Sequence, residues 1–146
     1  MMDLMKYQIA METIVKFDTN FKPKGKKNLS DFKLVKTIDP ISPEDAKAGL
    51  ISHVTYKWMD GNKLVATVGT ERWPNNWNSF FNFEVKPDYR GYGLGNQIVQ
   101  FLKKQGYNHL SVDARNRLAQ SIYWDHGFRF SGKETEMLIR MELKEK

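Results

Sequence analysis

Between Val85 and Gly106 the chain reads VKPDYRGYGLGNQIVQFLKKQG, with Gly91, Gly93 and Gly95 alternating just behind Arg90 and just ahead of an amphipathic run. A strand that turns at once into a helix leaves the first helical amides without partners, at the positive end of the helix dipole. Such an end is a ready phosphate site. Glycines there admit unusual backbone angles and remove side chains that would block a diphosphate, and Arg90 adds a charge. The familiar nucleotide motifs nevertheless fail. Counted from Gly91, both the third glycine of G-x-G-x-x-G and the second glycine of G-x-x-x-x-G-K-[ST] fall on Asn96, and Gln97 follows where the latter needs lysine. Asp113 stands about where a ribose contact belongs in the dinucleotide scheme, but the chain lacks the repeated strand–helix units of that fold.

A second pattern, NRLAQSIYWDHGF, places Asn116, Ala119, Tyr123, Gly127 and Phe128 in order. On a helix Ala119 and Tyr123 share a face, so a small residue beside a phenol leaves room for a thin ligand to meet a hydroxyl. With both patterns present, the sequence resembles the GNAT superfamily of N-acetyltransferases. Its acetyl-CoA motif V-x-P-x-Y-R-G-x-G-L-G is matched by Val85, Pro87, Tyr89, Arg90, Gly91, Gly93, Leu94 and Gly95. Its N-x-x-A-x-x-x-Y-x-x-x-G-F motif is matched by the second set.

The resemblance covers residues 50–143 and implies roles. Backbone amides from Arg90 through Gly91, Tyr92, Gly93, Leu94 and Gly95 to Asn96 would take the pyrophosphate of coenzyme A. The strand edge at Phe83 to Val85 would pair with the pantetheine arm, Asn116 would bind that arm from the neighbouring strand end, Ala119 would leave it space, and Tyr123 would sit near the sulfur. A neutral amine attacks the thioester carbonyl, a backbone N–H near Val85 stabilises the oxyanion, and the phenol of Tyr123 protonates the departing thiolate. Glu84 is the first candidate base, with a water chain or solvent exchange as the alternative, because a bulge in its strand would reverse which side chains face the cleft. Glu71 and Asp113 are other carboxylates at strand ends, and His126 reads as a helix-end residue facing water.

These groups need elements to hold them. Strand-like content at residues 5–17 precedes a basic loop, NFKPKGKKNLSD, then a strand FKLVKTID and a helix start at Ser42-Pro43. LISHVTYKWM and KLVATVGTER flank Asp60-Gly61-Asn62, a hairpin signal, and Trp73 and Trp77 fall in a loop leading to a third strand that Pro87 ends. Helical spacing of Leu94, Ile98, Phe101 and Leu102 closes at Gly106. HLSVDA follows as a strand, 118–126 as a short helix, and FRFSGKE and EMLIRMEL as a last pair of strands. The expected fold is mixed α+β. The resemblance makes it a GNAT-type, mostly antiparallel central sheet with a V-shaped splay between two central parallel strands, flanked by helices. One domain is expected over residues 1–146, with a divergent part at 1–50 and an acetyl-CoA-binding core at 79–128.

Composition narrows the remaining choices. The absence of cysteine excludes disulfides, thiolate metal sites and a cysteine nucleophile. His53, His109 and His126 lack metal-ligand spacing, so no metal is expected. No apolar stretch reaches the length of a membrane span, which makes a cytoplasmic protein without membrane contact the expectation, as monomer or homodimer. The net charge of +6 concentrates at residues 86–133, with eight Lys or Arg against three Asp, and at residues 22–36, with six Lys against one Asp. Basic surface calls for an anionic partner. The favoured reading is an N-acetyltransferase that uses acetyl-CoA and an amine acceptor, small molecule or protein. Its rivals are a catalytically silent acyl-CoA-binding module and, less favoured, a nucleic-acid-binding protein using KPKGKK with Phe21 and Phe32.

Overall fold

Local turn chemistry divides the chain into its elements. In a computed structural model, which describes residues 23–144, a short 3-10 turn at Leu29–Asp31 leads into strand β1 (Lys33–Ile38). Ser42 then caps helix α1 (Pro43–Ala48) by accepting a hydrogen bond from Asp45 N at 3.1 Å. The expected hairpin forms between β2 (Ser52–Asp60) and β3 (Lys63–Trp73). Its two-residue turn places Gly61 at φ +60°, the positive first central angle that suits the twist of the flanking strands.

The remaining elements are β4 (Trp77–Val85), α2 (Leu94–Lys104), β5 (His109–Asp113), α3 (Arg117–Asp125), β6 (Phe128–Lys133) and β7 (Leu138–Leu143). The strand expected at residues 5–17, like Phe21, lies outside the described residues. Trp73 and Trp77 do not occupy an open loop. They pair across a tight hairpin between β3 and β4, and the Trp77 indole stacks on His109 with ring centroids 3.6 Å apart.

The seven strands among the described residues form one sheet in the order β1-β2-β3-β4-β5-β7-β6. All neighbours are antiparallel except β4 and β5, which run parallel and register only at Ser79–His109 and Phe80–Leu110. Asparagines clamp the closed end of that pair. Asn108 N donates to Asn78 O at 2.8 Å, and Asn78 N donates to Asn108 Oδ1 at 3.1 Å. Beyond Phe80 and Leu110 the two strands part, as a V-shaped splay requires.

One face of the sheet carries the core. Val54, Tyr56 and Trp58 of β2, Val68 of β3 and Phe80 of β4 pack with Leu94, Ile98 and Leu102 of α2, all buried. Burial of each such large side chain contributes about 1.5–3 kcal/mol, so this face fixes α2 and with it the loop that precedes α2. Tyr123 of α3 joins the same face through edge-on contacts with Phe80 and Phe128. Gln120, also buried, ties α3 to the end of β5 by donating to Asp113 O and Ala114 O. Both helices thus stand on the same face of the sheet.

Candidate active site

An irregularity in β4 determines what the splay exposes. Between the pairs Thr67–Glu84 and Gly69–Phe81 the strand carries one more residue than its partner, and Asn82 adopts φ +50° there. Asparagine tolerates the left-handed region better than most residues. The extra residue reverses side-chain alternation, so Phe83 follows Phe80 onto the core face and meets Tyr123 at 6.4 Å between ring centroids. Glu84 takes the opposite parity. Main-chain direction changes with it. Lys86 N donates to Val65 O at 2.8 Å, which makes that pair the hydrogen-bonded one. The adjoining Val85–Ala66 pair therefore turns both main-chain groups of Val85 away from β3. On that open side the Val85 carbonyl accepts from Arg90 Nε at 2.7 Å, and the Val85 amide faces the gap.

The glycine loop is built as the sequence implied. Pro87–Tyr89 form a 3-10 turn, Gly91 and Gly93 hold φ +84° and +79°, and Gly93 is the N-cap of α2. Gln97 N closes onto Gly93 O, whereas the amides from Gly91 to Asn96 enter no turn, loop or cap hydrogen bond among the described residues. Gly95 serves packing, since a side chain there would grow toward Ile122 of α3, 3.5 Å from the position of a Cβ.

Segments 83–85 and 90–96 line a single groove of about 1000 Å³ together with Asn116, Ala119 and Tyr123. Tyr123 is 3 % exposed, and burial pushes its phenol well above the ordinary value. Its hydroxyl has no hydrogen-bond partner among the described residues. Asn116 caps α3, accepting from Ala119 N at 3.1 Å through Oδ1, which leaves its amide NH2 for the groove. Asn116→Ala is expected to destabilise the fold by about 1 kcal/mol and Asn116→Asp by much less, measured by urea denaturation.

The carboxylates differ in their freedom. Glu84 receives Lys86 Nζ at 2.7 Å and lies 3.9 Å from Arg90, and the Lys86 hydrogen bond holds its carboxyl below the usual range. Asp113 is bound by the side chain and amide of Arg115, which lower it to about 2. Glu71 accepts from Trp73 Nε1 at 3.2 Å. His126 does not simply face water, because its Nε2 meets Asn96 Oδ1 at 3.0 Å and so joins the end of α3 to the first turn of α2. Among the described residues no group of three His, Cys, Asp or Glu is placed to hold a metal, and no helix is long and apolar enough to cross a membrane.

Sequence reasoning did not anticipate one contact with the site. The basic segment at 23–28 lies on the glycine loop, with Lys24 N and Gly25 N donating to Gly91 O at 2.8 and 3.3 Å and Lys27 N to Tyr92 O at 3.1 Å. Phe32, paired with Phe21 in the nucleic-acid reading, packs edge-on against Tyr89 instead.

Comparisons with known proteins bear on this geometry. A family model for the acetyltransferase (GNAT) domain matches residues 52–130. Among curated proteins none matches. Solved structures share the fold. An acetyltransferase from Thermus thermophilus superimposes with a TM-score of 0.53 at 19% identity, over 61% of this chain and 62% of that one, so the chain spans less than two thirds of its length. A Bacillus subtilis acetyltransferase in complex with CoA gives 0.53 at 14% identity, over 78% of this chain and 100% of that one. A GNAT family acetyltransferase from Elizabethkingia anophelis with acetyl-CoA bound gives 0.52 at 17%, over 77% and 99%.

Proposed function

Because the chain belongs to the GNAT acetyltransferase family, we propose that the groove between β4 and α3 binds acetyl-CoA and that the protein passes its acetyl group directly to an amine. The observation that carries this reading is the convergence of three features on one groove: unpaired loop amides, an edge of β4 that no strand pairs beyond Phe80, and a buried phenol. They fit the ligand. The amides from Gly91 to Asn96 would hold its pyrophosphate, the open edge of β4 would pair with the amide groups of its pantetheine arm, and the Asn116 NH2 would steady that arm from the N-cap of α3. Ala119 leaves the passage beside Tyr123 clear.

When bound, acetyl-CoA supplies an activated acyl group as a thioester. The Val85 amide, turned toward the gap, is the donor we assign to the negative charge that develops on the carbonyl oxygen. Tyr123 holds a proton for the sulfur. Burial that raises the phenol also raises a neighbouring thiol, since both charged forms are penalised by the same loss of water, so proton donation stays matched. Glu84 is a weak acceptor while Lys86 and Arg90 compensate it. We therefore assign loss of the amine's proton to water in the cleft, with Glu84 as a hydrogen-bond acceptor for that water rather than a strong base.

Release of free thiol from acetyl-CoA, followed against a panel of small amines and lysine peptides, tests the proposal. Acceptor-dependent release supports it and begins to name the acceptor. Tight binding of acetyl-CoA without turnover on any acceptor would favour an acyl-CoA-binding module. The pH profile gives a second check. Tyr123 must be protonated to act as acid, and its raised pKa moves the loss of that form upward. The rate should rise with pH as the amine deprotonates, with no descending limb below about pH 10; a fall centred near pH 8 would assign the acid to another group.

A further inference from the structure

The lysine cluster at 22–36 has no part in the chemistry above, yet residues 23–28 lie directly on the anion loop. Their backbone does one thing and their side chains another. In a trans peptide the C=O of one residue and the N–H of the next point in opposite directions. Lys24 N, Gly25 N and Lys27 N draw the carbonyls of Gly91 and Tyr92 to the segment's side, so the amides of Tyr92 and Gly93 are aimed away from it. Gln97 of α2 secures the crossing, with Nε2 donating to Lys27 O at 2.7 Å and Oε1 accepting from Leu29 N at 2.8 Å.

The three lysines are not equivalent. The Lys27 ammonium sits over the Tyr92 ring, 4.7 Å from its centroid. The Lys24 side chain lies along Gly91, with Cγ 3.2 Å from where a Cβ would stand. Lys26 lines the groove, and among the described residues it meets no carboxylate. Other cations near the loop are engaged. Arg90 is fastened to Val85 O and faces Glu84, and Lys86 is paired with Glu84. Of the carboxylates on the groove, Glu84 is thus compensated, and Asp125 belongs to the last turn of α3.

Coenzyme A carries a phosphate on its ribose, beyond the pyrophosphate that the loop amides would occupy. That group is doubly charged near neutral pH and needs a cation at the rim. We propose that residues 23–28 form a basic strap that completes the cofactor site, with Lys26 selecting the 3′-phosphate of coenzyme A. The inference rests on the acetyl-CoA reading of the groove and adds to it a determinant outside the two sequence motifs. Lys26 is a specificity residue, distant from the reacting atoms.

Calorimetric titration of the full chain with coenzyme A and with 3′-dephospho-coenzyme A, on wild type, Lys26→Ala and Lys26→Arg, separates the outcomes. The wild type is expected to favour the 3′-phosphorylated ligand by about 10-fold, the scale of one charge-assisted hydrogen bond. Lys26→Ala should bring the two ligands to within about 2-fold by weakening coenzyme A alone, and Lys26→Arg should restore most of the preference. If both ligands bind wild type equally, or if Lys26→Ala leaves the preference intact, the strap has no such role while the acetyl-CoA reading stands. If neither ligand binds, the reading of the groove itself fails and the strap proposal with it.

Discussion

Tyr123→Phe is expected to lower acceptor-dependent thiol release by at least 10-fold and toward 10²-fold, the lower end of the usual range for loss of a positioned acid, while leaving acetyl-CoA affinity within about 2-fold. The substitution removes one oxygen and keeps the ring. Phe80, Phe83 and Phe128 surround that ring, so its packing survives. Since the hydroxyl has no hydrogen-bond partner among the described residues, its removal orphans no buried group, and thermal stability should hold. The loss should therefore fall on kcat, not on KM. Side-by-side progress curves and melting curves for the two proteins measure both parts. A mutant as fast as wild type would remove Tyr123 from the chemistry and leave it as a core aromatic.

Gly93→Val should abolish most cofactor binding, raising the dissociation constant of acetyl-CoA about 100-fold. Two costs act at one position. Gly93 holds φ +79°, a region that costs a residue with a Cβ about 1–2 kcal/mol and a β-branched one more. The loop can escape that strain only by turning its amides off their common target. The second cost is steric and concerns the ligand alone. A Cβ at Gly93 would meet no protein atom within 4 Å, so the valine methyls would stand in open space over the proposed anion site. Fold stability should drop only by the backbone strain. Calorimetry with acetyl-CoA, paired with a denaturation curve, distinguishes the two costs; an affinity change under about 3-fold would show that the anion sits elsewhere.

What the sequence made legible was mostly local. Glycine at φ > 0, a capping serine ahead of proline and helical spacing from Leu94 to Leu102 each act within a few residues, and each element they foretell is present. The motif positions, read as separate stretches, meet on one groove because the core fastens α2 and α3 to the same face of the sheet. Two features were hidden because they depend on long-range pairing, and a third, the bulge, was legible only as a possibility. Trp73 and Trp77 read as loop residues since PNN breaks the pattern between them, yet cross-strand pairing and the stack on His109 carry the ladder to the hairpin tip. The strap depends on hydrogen bonds between segments about 65 residues apart along the chain, which no local pattern encodes. The bulge left a faint trace. Asn82 interrupts an otherwise aromatic and β-branched run, and asparagine is among the few residues at ease in a left-handed turn.

The parting of β4 from β5 has a consequence for the molecule before it meets any ligand. Most sheets conceal their inner edges by pairing and reserve exposure for the outermost strands, which are blunted against adhesion. Here an interior strand stops pairing midway, at Phe80, and presents a bare margin at the centre of the sheet rather than at its border. A margin so placed faces β5, which already stands next in the strand order, rather than open solvent beyond the sheet. In the proposed function its occupant is a slender chain of amides, the pantetheine arm. The same parting of strands thereby offers the proposed docking rail at a place less open to strand-to-strand adhesion than an outer edge.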